Sequence, residues 1–345
     1  MSGKTDEPRD ARRAAVARIV SAARAIAEDA SVIEPLAHTT GLSSQGVELA
    51  LREHLETHPS DAEIATLVDR AKLTTHVHVI LSANVFTGAL RAIACARAAA
   101  PTVSVRSSSR EPIFAQRLIA TIADPAIFSV DDEVLEDLRG GEIHVYGRAE
   151  TIAKVRARAG KDVVVRAHGP GIGVAYVSES DSLEAAADAI ARDVVPFDQR
   201  GCLSPRVVFI VGDFSRAEEF ATRLGGALAA LEEKIPRGEM SDDEIAESSQ
   251  YLESMRFAGT AVAGRRYAVG VSTMLVVPPP GRNVHVAAIA SADALAEIVG
   301  PIASYITAVG TGDLTIRSSF GPFVRISRFG EMQKPPFDGP VDLRD

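Results

Sequence analysis

The sequence contains little sulfur and few aromatic side chains, with two cysteines, no tryptophan and 5% aromatic residues. Two cysteines in 345 residues cannot build a disulfide framework, which predicts a reducing compartment. No apolar run is long enough to span a bilayer, and the first residues, MSGKTDEPRDARR, are charged and unlike a signal peptide. We therefore expect a soluble, cytoplasmic protein without a membrane span.

An excess of positive charge is also missing, because 46 acidic residues outnumber 37 basic ones and give a formal net charge of −9. A chain with this balance is not expected to have nucleic acid or an anionic membrane as its main partner. Its 46% hydrophobic content is that of an ordinary globular protein, and its length predicts two domains.

Short apolar segments alternate with helical segments between residues 76 and 169. This alternation predicts βαβ units and a doubly wound parallel sheet, preceded by three amphipathic helices. Ligands of such sheets bind at the carboxyl ends of the strands. The predicted strands are 76–84, 102–109, 126–130, 142–147 and 162–169, and the predicted helices are 13–28, 44–55, 61–71, 88–100, 111–123, 132–138 and 149–158.

A second α/β unit begins near residue 173 and repeats the same alternation. The fold class is therefore expected to be α/β, with two doubly wound domains and a helical N-terminal lead-in. Its predicted strands are 173–178, 207–211 and 285–289, its helices are 181–192, 215–233 and 292–299, and 323–327 is a candidate exposed edge strand. The predicted divisions are a helical segment at 1–75, a first domain at 76–175, a second at 176–312, and a tail at 313–345 for oligomerisation or return.

The stretch 197–206, FDQRGCLSPR, places one thiol, Cys202, on a loop just before a buried strand. A thiol at the mouth of an α/β domain can act as a nucleophile once it is ionised, and we expect Arg200 and Arg206 to favour the thiolate. The alternative is a small apolar side chain that fills a gap. The other cysteine, Cys95, lies in an alanine-rich helix and is expected in the core.

Polar residues and glycines follow the predicted strands of the first domain. Asn84 can donate an N–H to a carbonyl under attack, or it can simply cap a turn. His168 is a second polar candidate, with a strand-end histidine bonded to backbone as its alternative. His76 and His78 alternate on one strand without an acidic or cysteine partner nearby, so no metal site is predicted.

Three motifs resemble one known family. FDQRGCLSP resembles the nucleophile motif of the aldehyde dehydrogenase superfamily, and within it the LuxC-type acyl-CoA reductases, the fatty-acid reductase branch. RFGEMQKPPFDGPVD at 328–342 and SSSREP at 107–112 are similar to that branch as well. The resemblance implies a Rossmann-like cofactor domain at 76–175 and a catalytic domain at 176–312, with Cys202 as nucleophile. It also implies an oxyanion hole formed by Asn84 and the backbone N–H of Cys202.

The same resemblance implies a nicotinamide cofactor. NAD-preferring relatives carry a Lys-Pro-Ser-Glu corner after the second strand, whereas Arg106 and Ser109 stand at its Lys and Glu positions here, with Arg110 following. Because arginine and small hydroxyls accommodate a 2′-phosphate, we predict NADPH over NADH, with a solvated basic turn as the alternative. No GxGxxG fingerprint follows Gly147, and the superfamily does not use one. The predicted cofactor-binding residues are Ser82, Arg106, Ser107, Ser109, Arg110, Gly147, Arg148, His168 and Gly169.

A glutamate that hydrolytic relatives place in an ELGGK-like segment is absent. The matching segment here is RAHGPGIG at 166–173, and Ala167 stands at the glutamate position. Without this base a thioester on Cys202 is poorly hydrolysed but can still be reduced. We therefore predict NADPH-dependent reduction of an acyl-CoA to an aldehyde through a cysteine thioester.

Two kinds of alternative stay open. One is a different enzyme, either an aldehyde oxidiser or a reductase of acyl phosphates like the glutamyl-phosphate reductases. The other is a catalytically silent binding subunit, because the chain is shorter than typical members and lacks an evident Glu-x-Phe motif. The resemblance also implies a homodimer, for which the stretch 323–327 is the candidate edge strand.

Overall fold

The structure is a computed structural model that describes residues 7–130, 138 and 140–344. Two sheets, of five and seven strands, organise these residues. The helices are α1 (Arg9–Ala27), α2 (Ile33–Thr40), α3 (Ser44–Leu49), α4 (Asp61–Arg70), α5 (Gly88–Ala99), α6 (Ile113–Ile122), α7 (Ala149–Arg158), α8 (Leu183–Val194), α9 (Phe214–Lys234), α10 (Asp242–Ala258) and α11 (Leu295–Val299). The strands are β1 (His76–Ile80), β2 (Thr102–Arg106), β3 (Ile127–Ser129), β4 (Glu142–Tyr146), β5 (Val164–His168), β6 (Ile172–Val177), β7 (Pro205–Val211), β8 (Thr260–Ala263), β9 (Ala268–Val271), β10 (Asn283–Ile289), β11 (Ile306–Thr311) and β12 (Arg325–Ser327).

The five-stranded sheet has the order β3-β2-β1-β4-β5, and all neighbouring strands are parallel. This confirms the predicted doubly wound sheet. The chain runs outward from β1 to β3 and returns to β4 on the other side of β1, so a crevice opens between β1 and β4. Ile80 pairs with Arg106 of β2 and Val145 of β4, which brings three carboxyl ends to one edge. The predicted helix at 132–138 lies, apart from residue 138, outside the described residues.

The N-terminal helices pack on this sheet. The apolar stripe of α1 shares one core with α5, α6 and strands β1 and β2, as its helical spacing predicts. Helix α5 is mostly alanine and almost wholly buried, which lets α1 approach it closely. Helix α4 starts with a capping box between Ser60 and Glu63. Helix α2 was not expected, because its Pro35 and the early Gly41 (φ 71°) make the segment resemble a loop.

The seven-stranded sheet has the order β12-β11-β6-β7-β10-β9-β8, and only the short β8 runs antiparallel to its neighbour. Helices α8 and α9 bury one face, and the apolar side chains of α11 and the preceding loop bury the other. Strand β7 is apolar from Val207 to Val211, where it is covered on both faces. The sequence pattern misses β8, β9 and β11, which are short or rich in glycine and alanine.

Strand β6 begins at Ile172, so the predicted boundary at residue 175 falls inside a strand of the second sheet. The division into domains stays a prediction. A β-carbon on Gly173 would lie 2.3 Å from the carbonyl oxygen of Leu203, so only glycine lets β6 run beside the thiol loop. Strand β12 lies at one edge of its sheet, where an edge strand was expected. The homodimer stays a prediction.

Candidate active site

The thiol loop, residues 197–204, contacts the loop that follows β1. The rings of Phe86 and Phe197 meet edge to face, with centroids 6.1 Å apart. A β-carbon placed on Gly201 would lie 3.2 Å from Cγ2 of Val85. The loop carrying Asn84 and the loop carrying Cys202 therefore lie against each other, at the carboxyl edge of one sheet and the amino edge of the other.

The thiol loop begins with a strained turn. Phe197, Asp198 and Gln199 all have positive φ, at 55°, 49° and 65°, although none is glycine. Each such residue costs about 1–3 kcal/mol and persists only where its surroundings enforce it. This run of three left-handed residues ends three residues before Cys202, so the turn sets the direction in which the chain enters the thiol position.

A buried ion pair enforces the first part of the turn. Asp198 accepts two hydrogen bonds from Arg282, from Nε at 3.1 Å and Nη2 at 2.8 Å, and its other oxygen accepts from the Gly238 N–H at 2.9 Å. Arg282 also donates to Glu232 at 2.5 Å and to the carbonyl of Ile235 at 2.9 Å. The side chains of Asp198 and Arg282 are almost fully buried, so each charge depends on its partner.

Hydrogen bonds between the Gln199 side chain and backbone groups enforce the second part of the turn. The Gln199 amide donates to the carbonyls of Pro205 (2.9 Å) and Asn283 (2.7 Å), and its oxygen accepts from the Asn283 N–H (2.8 Å). These bonds tie the turn to the starts of β7 and β10. Sequence reasoning missed Arg282 and Asn283. The available signal was a charged and an amide residue between Gly281 and an apolar strand.

Cys202 is half-buried and packs on an apolar cluster of Leu203, Ala308 and Met332, on which Val341 also packs. Burial raises the pKa of its thiol to about 11, and Asp342 adds to the increase, whereas Arg344 and a hydrogen bond with Thr307 oppose it. The Thr307 hydroxyl also donates to the Cys202 carbonyl, which fixes the backbone at this point. The resting thiol is therefore protonated at neutral pH.

The prediction that Arg200 and Arg206 favour the thiolate is wrong. Arg200 donates to the carbonyls of Thr40 (3.1 Å) and Glu239 (2.9 Å), and Arg206 donates from Nε to the carbonyl of Pro278 (2.7 Å). Neither arginine is among the charges that act on the pKa of the Cys202 thiol. The nearby cation comes from the tail instead.

Asn84 is exposed at the end of the loop after β1. Its side-chain oxygen accepts a hydrogen bond from Nη2 of Arg110 at 3.2 Å. This bond leaves the amide NH2 group available to an incoming acceptor, since no acceptor among the described residues contacts it. The predicted oxyanion donor and the predicted cofactor corner are thus joined by one hydrogen bond.

The predicted cofactor corner is cationic. Burial, followed by the guanidinium groups of Arg200 and Arg148, lowers the pKa of Arg110, against the attraction of Glu244. Ser107, next to it, has a buried hydroxyl oxygen without a hydrogen-bond partner in the described part of the chain. Arg106 ends β2, and Ser109 is exposed beside Arg110.

The remaining predicted residues line the same edge. Ser82 follows β1, and Gly147, whose N–H donates to the His168 carbonyl at 3.2 Å, follows β4. Arg148 is exposed at the start of α7. His168 ends β5, and Gly169 follows it. The His168 ring is buried and stacks on Tyr146 at 4.4 Å, and burial lowers its pKa to about 4. The structure thus brings every predicted cofactor residue to one edge, although His168 is packed inside it.

The residues that were not expected to take part in the chemistry lie elsewhere. His76 and His78 both contact the Ser104 hydroxyl at 2.8 Å, and no cluster of metal-ligating side chains occurs among the described residues. Cys95 packs in the core of α5, where burial raises its pKa to about 12. Ala167 packs in a small apolar cluster with Ile143 and Val145, on the face of β5 opposite His168.

Comparison with known proteins identifies the family. The sequence profile of the acyl-CoA reductase (LuxC) family matches residues 47–319. The chain therefore belongs to the acyl-CoA reductase (LuxC) family, which makes it an oxidoreductase of the aldehyde dehydrogenase superfamily. A search of curated proteins returns no match. No helix that the structure describes is long and apolar enough to cross a membrane.

Solved structures share the fold at low sequence identity. A NAD-dependent benzaldehyde dehydrogenase from Corynebacterium glutamicum is 15% identical with a TM-score of 0.71, and covers 96% of this chain and 84% of its own. Lactaldehyde dehydrogenase from Escherichia coli is 16% identical with a TM-score of 0.69, and the match covers 93% of this chain and 79% of the dehydrogenase. An NADP-dependent glyceraldehyde-3-phosphate dehydrogenase from Bacillus halodurans, complexed with NADP, is 12% identical with a TM-score of 0.68, covering 94% and 79%. These similarities confirm the aldehyde dehydrogenase fold.

Proposed function

We propose that this protein reduces an acyl thioester, with acyl-CoA as the donor, to an aldehyde, and that Cys202 carries the acyl group during the reaction. The observation that carries this proposal is the contact between the Asn84 and Cys202 loops at the facing edges of the two sheets. A thiolate that attacks a carbonyl leaves negative charge on its oxygen, and an amide N–H beside it stabilises that charge. Loss of one such donor costs on the order of 10²–10³ in rate.

In the first step the Cys202 thiolate attacks the acyl carbonyl carbon. The thiol first loses its proton to solvent, and the resulting thiolate forms a new bond between Sγ and that carbon. The bond to the CoA sulfur breaks, and CoA leaves as a thiolate that takes a proton from solvent. The NH2 group of Asn84 and the backbone N–H of Cys202 hold the carbonyl oxygen. Membership of the acyl-CoA reductase family supports this choice of donor.

A nicotinamide cofactor fits the crevice between β1 and β4. The cationic corner around Arg110 and the unpartnered Ser107 hydroxyl suit an adenosine 2′-phosphate, which favours NADPH. When bound, the nicotinamide supplies the hydride that turns the acyl group into the aldehyde and frees the Cys202 thiolate. The residues proposed to hold the cofactor are Ser82, Arg106, Ser107, Ser109, Arg110, Gly147, Arg148, His168 and Gly169.

The surroundings of Cys202 disfavour hydrolysis of the acyl group. Ala167, at the position of the missing glutamate, is packed in an apolar cluster. The carboxylate that acts on the thiol is Asp342, and although burial opposes the effect, hydrogen bonds from Arg344 hold the pKa of Asp342 below its usual value. A carboxylate with a lowered pKa is a weak base for activating water. Reduction is therefore favoured over acid formation.

Intact-protein mass spectrometry tests the proposal. Wild type and Cys202→Ala are incubated with acyl-CoAs of increasing chain length, and Cys95→Ala serves as the matched control for loss of a thiol. We expect a mass increase equal to the acyl group in wild type and Cys95→Ala but not in Cys202→Ala, and its release as aldehyde on adding NADPH. No adduct from any acyl-CoA overturns the proposal and favours acyl phosphates, free aldehydes or a silent binding subunit.

A further inference from the structure

The tail that follows β12 is fixed against both halves of the molecule. Arg91 of α5 donates to the carbonyls of Pro335, Pro336 and Gly339, at 2.7–2.8 Å. On the other side, Arg325 of β12 donates from Nε to the carbonyl of Val341 at 2.9 Å. The segment from residue 334 to 344 is therefore held by side chains and is not a loose end.

This segment ends at the apolar cluster on which Cys202 packs. Val341 packs in the same apolar cluster as Cys202. The next residues form a two-bonded ion pair, in which Arg344 donates to Asp342 from Nε at 2.7 Å and from Nη2 at 2.6 Å. Asp342 is buried. The tail thus supplies a charged pair directly after Val341, which packs on the same apolar cluster as Cys202.

Arg344 also reaches the segments that precede β6 and β11. It donates to the carbonyls of Ser304 (2.7 Å) and Pro170 (3.2 Å). A β-carbon on Gly171 would lie 3.1 Å from its Nη2 and 2.5 Å from Cγ2 of Thr307, the residue whose hydroxyl donates to the Cys202 carbonyl. Among the described residues, this places one guanidinium group and one carboxylate in the immediate surroundings of Cys202.

We propose that the Asp342–Arg344 pair sets the reactivity of Cys202, with Arg344 as the cation that supports the thiolate and Asp342 as the anion that restrains this support. Both are positioning residues, because they act on the nucleophile and do not contact the acyl group. This inference rests on the proposed function of Cys202. Arg344 takes the role that the sequence had assigned to Arg200 and Arg206, whose guanidinium groups are bound elsewhere.

The two charges act in opposite directions on the thiol. Beyond the effect of burial, Asp342 raises the pKa of Cys202 and Arg344 lowers it, together with the hydrogen bond from Thr307. His168 of β5 also faces the pair, but burial lowers its pKa to about 4, so it stays neutral in the pH range of thiol chemistry. Asp342 and Arg344 are thus the charged side chains that act on the pKa of Cys202, in addition to its burial.

The rate of Cys202 alkylation by iodoacetamide tests this inference. The rate constant is measured by peptide mass spectrometry in a Cys95→Ala background. The measurements run from about pH 7 to about pH 10.5, a range that spans the ordinary thiol pKa of about 8.5. We expect Asp342→Asn to shift the pH profile to lower pH. Alkylation should become about threefold faster per unit of pKa change, because a larger thiolate fraction outweighs its lower nucleophilicity. Arg344→Gln is expected to shift the profile to higher pH and to slow alkylation by a similar factor.

The opposite signs separate this inference from a purely structural role. If the tail only covers the sulfur, both variants loosen it and both speed alkylation, which overturns the inference. An unchanged profile in both variants overturns it as well. Asp338→Asn is the matched control, because it breaks the tail's pairs with Arg70 and Arg325 without changing a charge that acts on Cys202. The assay needs neither acyl donor nor cofactor, so its outcome is independent of the acylation experiment.

Discussion

The two halves of the candidate site are built in opposite ways. The thiol half is buried and braced, with a strained turn held by the Asp198–Arg282 pair and by Gln199. The crevice half presents exposed side chains, Asn84 and Arg110, on loops after parallel strands. A nucleophile needs one fixed direction of approach, whereas a ligand that enters and leaves needs accessible polar groups. The difference predicts that the same kind of substitution affects stability in one half and ligand binding in the other.

The largest effect is expected from Arg282→Met, which leaves the Asp198 carboxylate buried without its partner. Breaking a buried pair in this way costs about 3–5 kcal/mol. We therefore expect a large loss in the free energy of unfolding, measured by urea denaturation. Arg223→Met is the matched control, because it breaks an exposed pair with Glu219 on α9 that contributes about 0.3–0.5 kcal/mol. Equal and small losses in both variants would show that the turn does not depend on the pair.

The second effect concerns Asp193, which braces the other side of the thiol loop. Its carboxylate accepts from the N–H groups of Gly330 (2.7 Å) and Met332 (3.0 Å), and Met332 packs on Cys202. Burial raises the pKa of Asp193 from 3.8 to about 7, against these hydrogen bonds. The folded state therefore keeps a proton that the unfolded state releases, so this contribution to stability is full below about pH 4 and is lost as the pH rises through about 7.

Asp193→Asn removes this ionisation. We expect the stability of the variant to fall less than that of wild type as the pH rises from 5 to 8, with a difference in slope of up to about 1.4 kcal/mol per pH unit. The slope is the test, because asparagine also loses one acceptor at all pH values. Asp188→Asn, an exposed carboxylate on the same helix, is the control and should leave the slope unchanged. Parallel slopes in all three proteins would contradict the prediction.

The same contrast explains what the sequence could predict. Strands β1, β2, β4 and β7 follow from local apolar runs, and the residues after each strand follow from the rule that carboxyl ends share an edge. The placement of Asn84 and Arg110 was therefore accessible. The bracing of the thiol was not, because Asp198 and Arg282 are 84 residues apart, as are Gln199 and Asn283. Their pairing depends on where β10 starts, which no local pattern encodes.

The charges near the thiol were also not predictable from local sequence. Arg200 and Arg206 are its neighbours in the sequence but point to Thr40 and Pro278, whereas Arg344 is remote in the sequence and lies close to it. Proximity along the chain is thus a poor guide to electrostatics in a loop, although it serves well along a strand.

The smallest effect is expected in the crevice half, from Arg110→Gln. Loss of one guanidinium group should raise the KM for NADPH about tenfold, equivalent to about 1.4 kcal/mol, and leave the KM for NADH and the melting temperature almost unchanged. Arg156→Gln, at the end of α7, changes the same charge at a distance and controls for the overall field. The hydrogen bond from Arg110 to Asn84 adds a second readout. If Arg110 only orients Asn84, kcat falls equally with both cofactors and the two KM values do not separate. A KM increase confined to NADPH assigns Arg110 to the 2′-phosphate, and it would place phosphate recognition and the oxyanion donor on the same exposed, unbraced half of the site.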